Sequence, residues 1–486
     1  MKYTNPVLKG FYPDPSVCAA NGKYYLVCSS FQYFPAVPLF ESEDLVNWRQ
    51  IGHVLTRKSQ VALDKVPSSG GVFAPTIRFN GGRFYMVTNN NTANKNFYVY
   101  TDDIYGEWSE PVYVDQDGID PSLYFEDGRA YFMSNGTDDE GRGGVVQCEI
   151  DIATGEKLSP SKCLWQGSGG RFLESPHLYK IDGAYYLMAA EGGTEYGHMI
   201  TCARSSSLWD GYTGFPNNPV LTNRDKAPYI IQGAGHGDLV QDKYGDWHIL
   251  CLGFRQLGDW TPYHNLGRET FLVPVTFNSD GTFFAGNDKT CEFEYEIKGG
   301  FSQEEKRRYT LADKLEWIYL RCPVTENYEL SAEKAILRGT EKTLDGVDSP
   351  TFLGIRQREF VGTFRARVTL DGGEAGITAY MCEQEHYDIA IRKTDGGFEA
   401  LAKLNIGGIK HIESALPISG GSAELIIKTD NYGYKLIVSD ESGEKILGCG
   451  QAKYLSSEVS GGFTGTVLGL YAAGGAAEFT AVEYSY

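Results

Sequence analysis

The chain has 486 residues, 42% apolar and 13% aromatic, with 44 Lys and Arg against 63 Asp and Glu, for a formal charge of −19. That acidity excludes a nucleic-acid or anionic-membrane partner, which needs a basic face, and no apolar run approaches the roughly 18 residues that span a bilayer. The length asks for about two or three domains, and 32 Tyr, 25 Phe and 58 Gly favour strands and turns over helices.

The first residues carry one Lys and then polar side chains, without the apolar stretch of a signal peptide. Ten cysteines stand singly, none in a C-x-x-C pair, so zinc-site spacing is absent. Most sit in apolar runs such as YYLVCSS and IYLRCP, where a thiol acts as a small hydrophobe. Reduced, buried thiols and a cytoplasmic location are expected.

Five segments then share one shape: a short polar or Pro-containing entry, a glycine turn, and an aromatic-rich strand. They read DPSVCAANGKYYLV, APTIRFNGGRFYMV, DPSLYFEDGRAYFM, SPHLYKIDGAYYLM and HGDLVQDKYGDWHIL. Their starts, Asp14, Ala74, Asp120, Ser175 and His236, lie 60, 46, 55 and 61 residues apart. Each glycine turn signals a hairpin, and further strand-like runs bring each repeat to about four strands. Units of that kind at that spacing predict a five-bladed β-propeller over residues 1–300. No 3.6-residue pattern separates the strands, which argues against a doubly wound α/β fold.

From about residue 310 the texture changes. KGGFSQEEKRRYTLADKLEW reads as a linker, followed by alternating strands such as GTFRARVTL, AGITAYMC, AELIIKTD and AEFTAVEY. Their two-residue period implies one buried and one exposed face each. An all-β sandwich over residues 301–486 is expected to close one side of the propeller's pocket.

Equivalent blade starts converge at one end of a propeller axis. Asp14, Phe73 with Ala74, Asp120, Glu174 (one residue ahead of the strict register) and His236 occupy them. Singly, each Asp could be a turn residue and the histidine a core one. Three acids together raise one another's pKa at a cost in stability, which an active site tolerates and a scaffold has no reason to. Two carboxyls across a pocket suit glycosidic hydrolysis, one donating a proton to the leaving oxygen and one activating water.

The stretches NPVLKGFYPDPSV, SSFQYFPAVPLFESEDLVNW, GVFAPTIR, GIDPSLYFEDG, FLESPHLYK, GHGDLV and LGRETFLVPV resemble glycoside hydrolase family 43. The likeness is to its long β-xylosidase branch, with an appended concanavalin A-like sandwich. The resemblance implies an inverting enzyme with Asp14 as general base, Glu174 as general acid and Asp120 as the residue that keeps Glu174 protonated and aimed. It further implies that Arg268 bonds sugar hydroxyls and that Phe31, Phe73 and, from the sandwich, Phe463 wall the sugar. It also implies that His236 lines the pocket, where in some relatives the residue touches a calcium ion, and that no cofactor is otherwise required. Phe73 stands where many relatives carry Trp, and Ile119 where close ones often carry an aromatic residue, so both bear on substrate preference. Relatives also imply a homo-oligomer.

The expected activity is removal of xylose from the non-reducing ends of short β-1,4-xylo-oligosaccharides, with α-L-arabinofuranosidase activity as well. The alternatives are an enzyme mainly for arabinofuranosides and a non-catalytic carbohydrate-binding propeller.

Overall fold

The computed structural model describes residues 1–258, 260–440 and 443–486. Five antiparallel sheets follow one another over residues 16–285, four of them four-stranded and the fourth carrying one extra short strand. Their first strands, Ser16–Ala20, Thr76–Asn80, Ile119–Glu126, Glu174–Ile181 and Ile231–Gln241, touch one another in a ring and line the axis. This is the five-bladed propeller. Apolar wedges fill the space between blades, for example Tyr85, Val87, Leu123, Phe132 and Cys148 between the second and third. The ring is tied shut by the N-terminal segment. Lys2–Thr4 pairs with Glu294–Glu296, and the Tyr12 amide donates to the Arg268 carbonyl at 3.1 Å.

One irregularity recurs in every blade and positions the site. In the first, Pro13 faces Ser29 while Ser16 faces Val27, so three steps along the inner strand meet two on its neighbour. The same mismatch separates Phe73 from Thr76, Ile119 from Ser122, Glu174 from His177 and Gly235 from Asp238. Each is a β-bulge, which re-aims side chains beside active sites. Its second residue is Pro15, Pro75, Pro121, Pro176 or Gly237. Proline has no N–H to leave unpaired, so it fits a bulge. The first bulge residue is left-handed in four blades: Asp14 (φ 54°), Asp120 (51°), Ser175 (54°) and His236 (45°). Left-handed backbone costs a non-glycine residue about 1–2 kcal/mol.

Residues 308–486 form one sheet of eight strands and supply seven strands of a second, packed face to face. Gly362–Leu370 (GTFRARVTL) alternates as expected, with Phe364, Ala366, Val368 and Leu370 inward. The one-exposed-face expectation fails for Glu374–Cys382 and Glu385–Thr394, which are buried on both faces. The outer face of their sheet carries Tyr380, Ala390 and Leu401 against Phe11, Phe31 and Tyr33 of the propeller. The expected linker is also partly structured: Arg308–Thr310 pairs with the last strand and Trp317–Leu320 joins the inner sheet.

That sheet even borrows a strand from the first blade, since Tyr33–Phe34 pairs with Tyr319–Leu320. Buried ion pairs add to the junction. Arg358 bonds Glu316 and the Tyr12 hydroxyl, and Arg255 bridges Glu269 and Glu359. All ten cysteines are free thiols, seven of them buried, with Cys449 exposed.

Candidate active site

The bulges turn Asp14, Asp120 and His236 toward one another at one end of the axis. His236 Nδ1 lies 3.6 Å from Asp14 Oδ1 and 3.8 Å from Asp120 Oδ2. Asp14 Oδ2 accepts from the Ser29 hydroxyl, and its Oδ1 accepts from Arg268 Nη1 at 3.0 Å. Asp120 Oδ2 accepts the Ser175 amide at 3.1 Å, which ties it to the residue after Glu174. Glu174 begins its strand one position before the bulge. That accounts for its offset from the strict repeat, because it occupies the register of Phe73 and Ile119.

The electrostatics separate the acids. Burial pushes Asp14 upward, but Arg268, His236 and Ser29 outweigh it and hold the carboxyl below its ordinary value. Burial and the neighbouring Asp14 push Glu174 up to about 7. Burial, Glu174 and Asp14 together raise Asp120 well above the usual range. Asp120 and Glu174 therefore act as a pair that keeps a proton near neutral pH, beside an ionised Asp14. The resemblance casts Glu174 as the protonated acid; the buried Asp120 rises as well. His236 is lowered by burial against the opposing pull of Asp14. The neutral imidazole thus crowds no further cation into the site.

Aromatic walls complete the pocket. Phe31 packs against Phe73 at 5.2 Å and stacks on Phe463 at 5.9 Å, centroid to centroid. The Arg268 guanidinium lies 5.7 Å from the Phe31 ring and 5.6 Å from that of Phe463. Arg268 Nη2 donates to the Phe463 carbonyl at 3.1 Å and Nη1 to Thr194 Oγ1 at 2.8 Å. Phe463 thus reaches the pocket from the sandwich, its amide donating to Ser69 Oγ at 2.8 Å. Its segment is latched by Glu458, which accepts from Tyr196 at 2.8 Å, pairs with His264 Nδ1 at 2.7 Å and takes the His264 amide at 3.0 Å. Ala74 is buried and Ile119 half-buried, each adjacent in the chain to a residue of the site, Phe73 or Asp120.

A second polar layer lies beneath. Two residues further along each inner strand stand Ser16, Thr76, Ser122, His177 and Asp238, all buried. The Asp238 carboxylate accepts from Arg78 Nη1 at 2.7 Å and Nη2 at 3.1 Å, Ser16 Oγ at 2.6 Å, the Val17 amide at 3.0 Å and the Tyr179 hydroxyl at 2.5 Å. Arg78 Nη2 is also 2.9 Å from His177 Nδ1. This network bears on the calcium that the resemblance places near His236. Among the described residues no group of three or more His, Cys, Asp or Glu could hold a metal ion. The guanidinium of Arg78 already neutralises Asp238, two residues below His236 on the same strand. The residues do not fit a calcium ion held by protein ligands.

Sequence reasoning missed Ser29, Thr194, Ser69, Glu458 and the Arg78–Asp238 layer. The layer had a readable signal, the second polar position of each repeat; the others are set by loops distant in sequence.

Residues 3–283 match the family described as Glycosyl hydrolases family 43, and residues 312–486 the Beta xylosidase C-terminal Concanavalin A-like domain. The chain is 36% identical to the non-reducing end alpha-L-arabinofuranosidase BoGH43B of Bacteroides ovatus, over 97% of this chain and 91% of that protein. It is 35% identical to a xylosidase/arabinosidase of Butyrivibrio fibrisolvens, over 99% and 98%. The solved Bacteroides ovatus xyloglucan PUL GH43B superposes with a TM-score of 0.92 at 34% identity, covering 100% of this chain and 99% of that one.

Proposed function

The chain belongs to glycosyl hydrolase family 43 and is a glycosidase, and from that premise we propose that it removes single xylose units from the non-reducing ends of β-1,4-xylo-oligosaccharides by inversion. Asp14, held ionised, is the base that takes a proton from the attacking water. Glu174 is the acid that protonates the leaving oxygen, and Asp120 holds that proton in reserve and orients the pair through the Ser175 amide. Arg268 and the rings of Phe31, Phe73 and Phe463 grip the terminal sugar.

The observation that carries this reading is the opposed environment of the two acids. Asp14 lies below its ordinary value and Glu174 at about 7, the division of labour that acid–base catalysis of glycoside cleavage requires. The walls from both domains support an exo-acting pocket rather than an open groove. The prolines and paired donors around Asp14 fit a base whose water must be placed to within about half an ångström.

The test is xylobiose hydrolysis followed by proton NMR. The expected first product from the non-reducing sugar is α-xylose. Initial β-xylose, or no xylose at all, refutes the proposal. A second reading, terminal α-L-arabinofuranose in the same pocket, is favoured by the names of the two relatives. Rates on the nitrophenyl β-xyloside and α-L-arabinofuranoside, side by side, rank the two sugars.

A further inference from the structure

Phe172 lies two residues before Glu174, and its backbone is left-handed, with φ 54°. At the equivalent register position the second and fifth blades carry glycine, Gly71 (φ 90°) and Gly233 (φ 64°). Glycine adopts that conformation at little cost, whereas for a bulky residue it is a genuine outlier. Such strain persists at functional sites when the surroundings hold it in place. Asp14, Phe31, Asp120 and His236 of the pocket are left-handed as well.

Packing does not account for the strain at Phe172. The residue is 60% exposed, and its ring belongs to none of the apolar clusters of the described residues. Phe31, Phe73 and Phe463, by contrast, pack on one another. The ring lies against the loop that carries Thr194. A Cβ added to Gly193 would come within 3.1 Å of Phe172 Cδ2. The next residue, Thr194, bonds Arg268, which bonds Asp14. The Gly192 amide donates to the Arg171 carbonyl at 2.8 Å and so ties down the bend that presents the ring. The Arg171 guanidinium lies 5.1 Å from its centroid, and Arg171 faces Glu195 at 3.7 Å.

Resting on the function proposed above, we propose that Phe172 is the platform of the leaving-group subsite. It takes the apolar face of the first sugar beyond the cleaved bond, while Arg171 and Glu195 offer polar groups to its hydroxyls. The direction follows from Glu174, the acid of that reading, which must face the leaving oxygen and stands two residues away. A rigid ring with few torsions supplies contact area at low entropic cost.

The experiment compares kcat/KM for xylobiose with that for β-D-xylosyl fluoride, whose leaving group is too small to reach Phe172. In Phe172→Ala the ratio of the two is expected to fall about tenfold, equivalent to about 1.4 kcal/mol of lost transition-state contact. In Phe172→Tyr it should return to within about twofold of wild type. Phe172→Gly relieves the left-handed strain, so it should melt no lower than wild type yet show the same loss of ratio; a purely structural role predicts the reverse on both counts. An unchanged ratio in active Phe172→Ala and Phe172→Gly enzymes overturns the subsite alone. A wild-type enzyme inert on both substrates overturns the proposed function and the subsite with it.

Discussion

Removing the Asp238 carboxylate isolates the buried cation of the axial layer. Five donors point at this group, two from Arg78 and one each from Ser16, Val17 and Tyr179. Asp238→Ala leaves the Arg78 guanidinium, whose side chain is only 16% exposed, beside a histidine held neutral, its pKa driven to about 3 chiefly by burial. Breaking a buried pair from one side costs about 3–5 kcal/mol. The residual exposure of Arg78 puts the expected loss near the lower end, at about 3–4 kcal/mol. A chain of this size that unfolds as one unit gains about 1 kcal/mol/K of entropy, so the melting temperature should drop by about 3–4 °C.

Removing both partners in Asp238→Ala/Arg78→Met should cost about 2–3 kcal/mol less than the sum of the single losses. Acid adds a second check. Burial pushes Asp238 upward, but Arg78, with the Ser16 hydroxyl, outweighs it and holds the carboxyl well below the usual carboxylate range. Its stabilisation is present above the unfolded aspartate value near 3.9 and is lost as the pH falls below it. The deficit of Asp238→Ala should therefore shrink as melts are taken from pH 7 toward pH 3. Additive single losses, or a deficit that does not change in acid, would refute the assignment of Asp238 as the axial counter-charge.

Glu174→Gln should cut xylobiose turnover by about 10²–10⁴-fold, yet raise stability above pH 7. A carboxyl raised from 4.5 to about 7 loses up to about 3 kcal/mol as pH rises through that window, and Gln has nothing to ionise; melts at pH 8 and pH 4 should show the gain only at the higher value. The alkaline limb of the wild-type kcat/KM profile should fall near pH 7, read from initial rates on xylobiose. Glu458→Ala frees His264 and Tyr196 and loosens the segment that carries Phe463, so KM should rise several-fold with a smaller change in kcat; equal losses in both would point to a different role. Exhaustive chelation should leave turnover within about twofold, because Arg78 supplies the positive charge on the axis; restoration of lost activity by calcium would contradict that.

Much of this was readable from residues whose chemistry repeats. The dipeptides Asp14–Pro15, Ala74–Pro75, Asp120–Pro121 and Ser175–Pro176 mark the bulge in four blades, so the convergence of the acids followed from spacing alone. Period-two logic carries equally to Ser16, Thr76, Ser122, His177 and Asp238, the second polar position of each repeat. Ser29 and Thr194 carried no such mark, because a lone hydroxyl in a loop gains meaning only when the fold brings it to Asp14 or Arg268. Double burial of Glu374–Cys382 was hidden for a related reason: its partner surface lies on another domain, and alternation reports only whether a face is covered by something. Which of the crowded acids rises could not be read either, since it depends on the distances among Asp14, Asp120 and Glu174.

The strand lent by Tyr33–Phe34 to the C-terminal sheet changes what counts as a unit of inheritance here. Two family descriptions divide the chain, yet a recombination event that exchanged the rear portion would strip Phe463 from the sugar's enclosure and leave a hydrogen-bonding strand edge bare. Naked edges of that kind invite aggregation. The two halves are therefore constrained to vary together, and a shortened gene built for the propeller alone should be recovered chiefly in insoluble form.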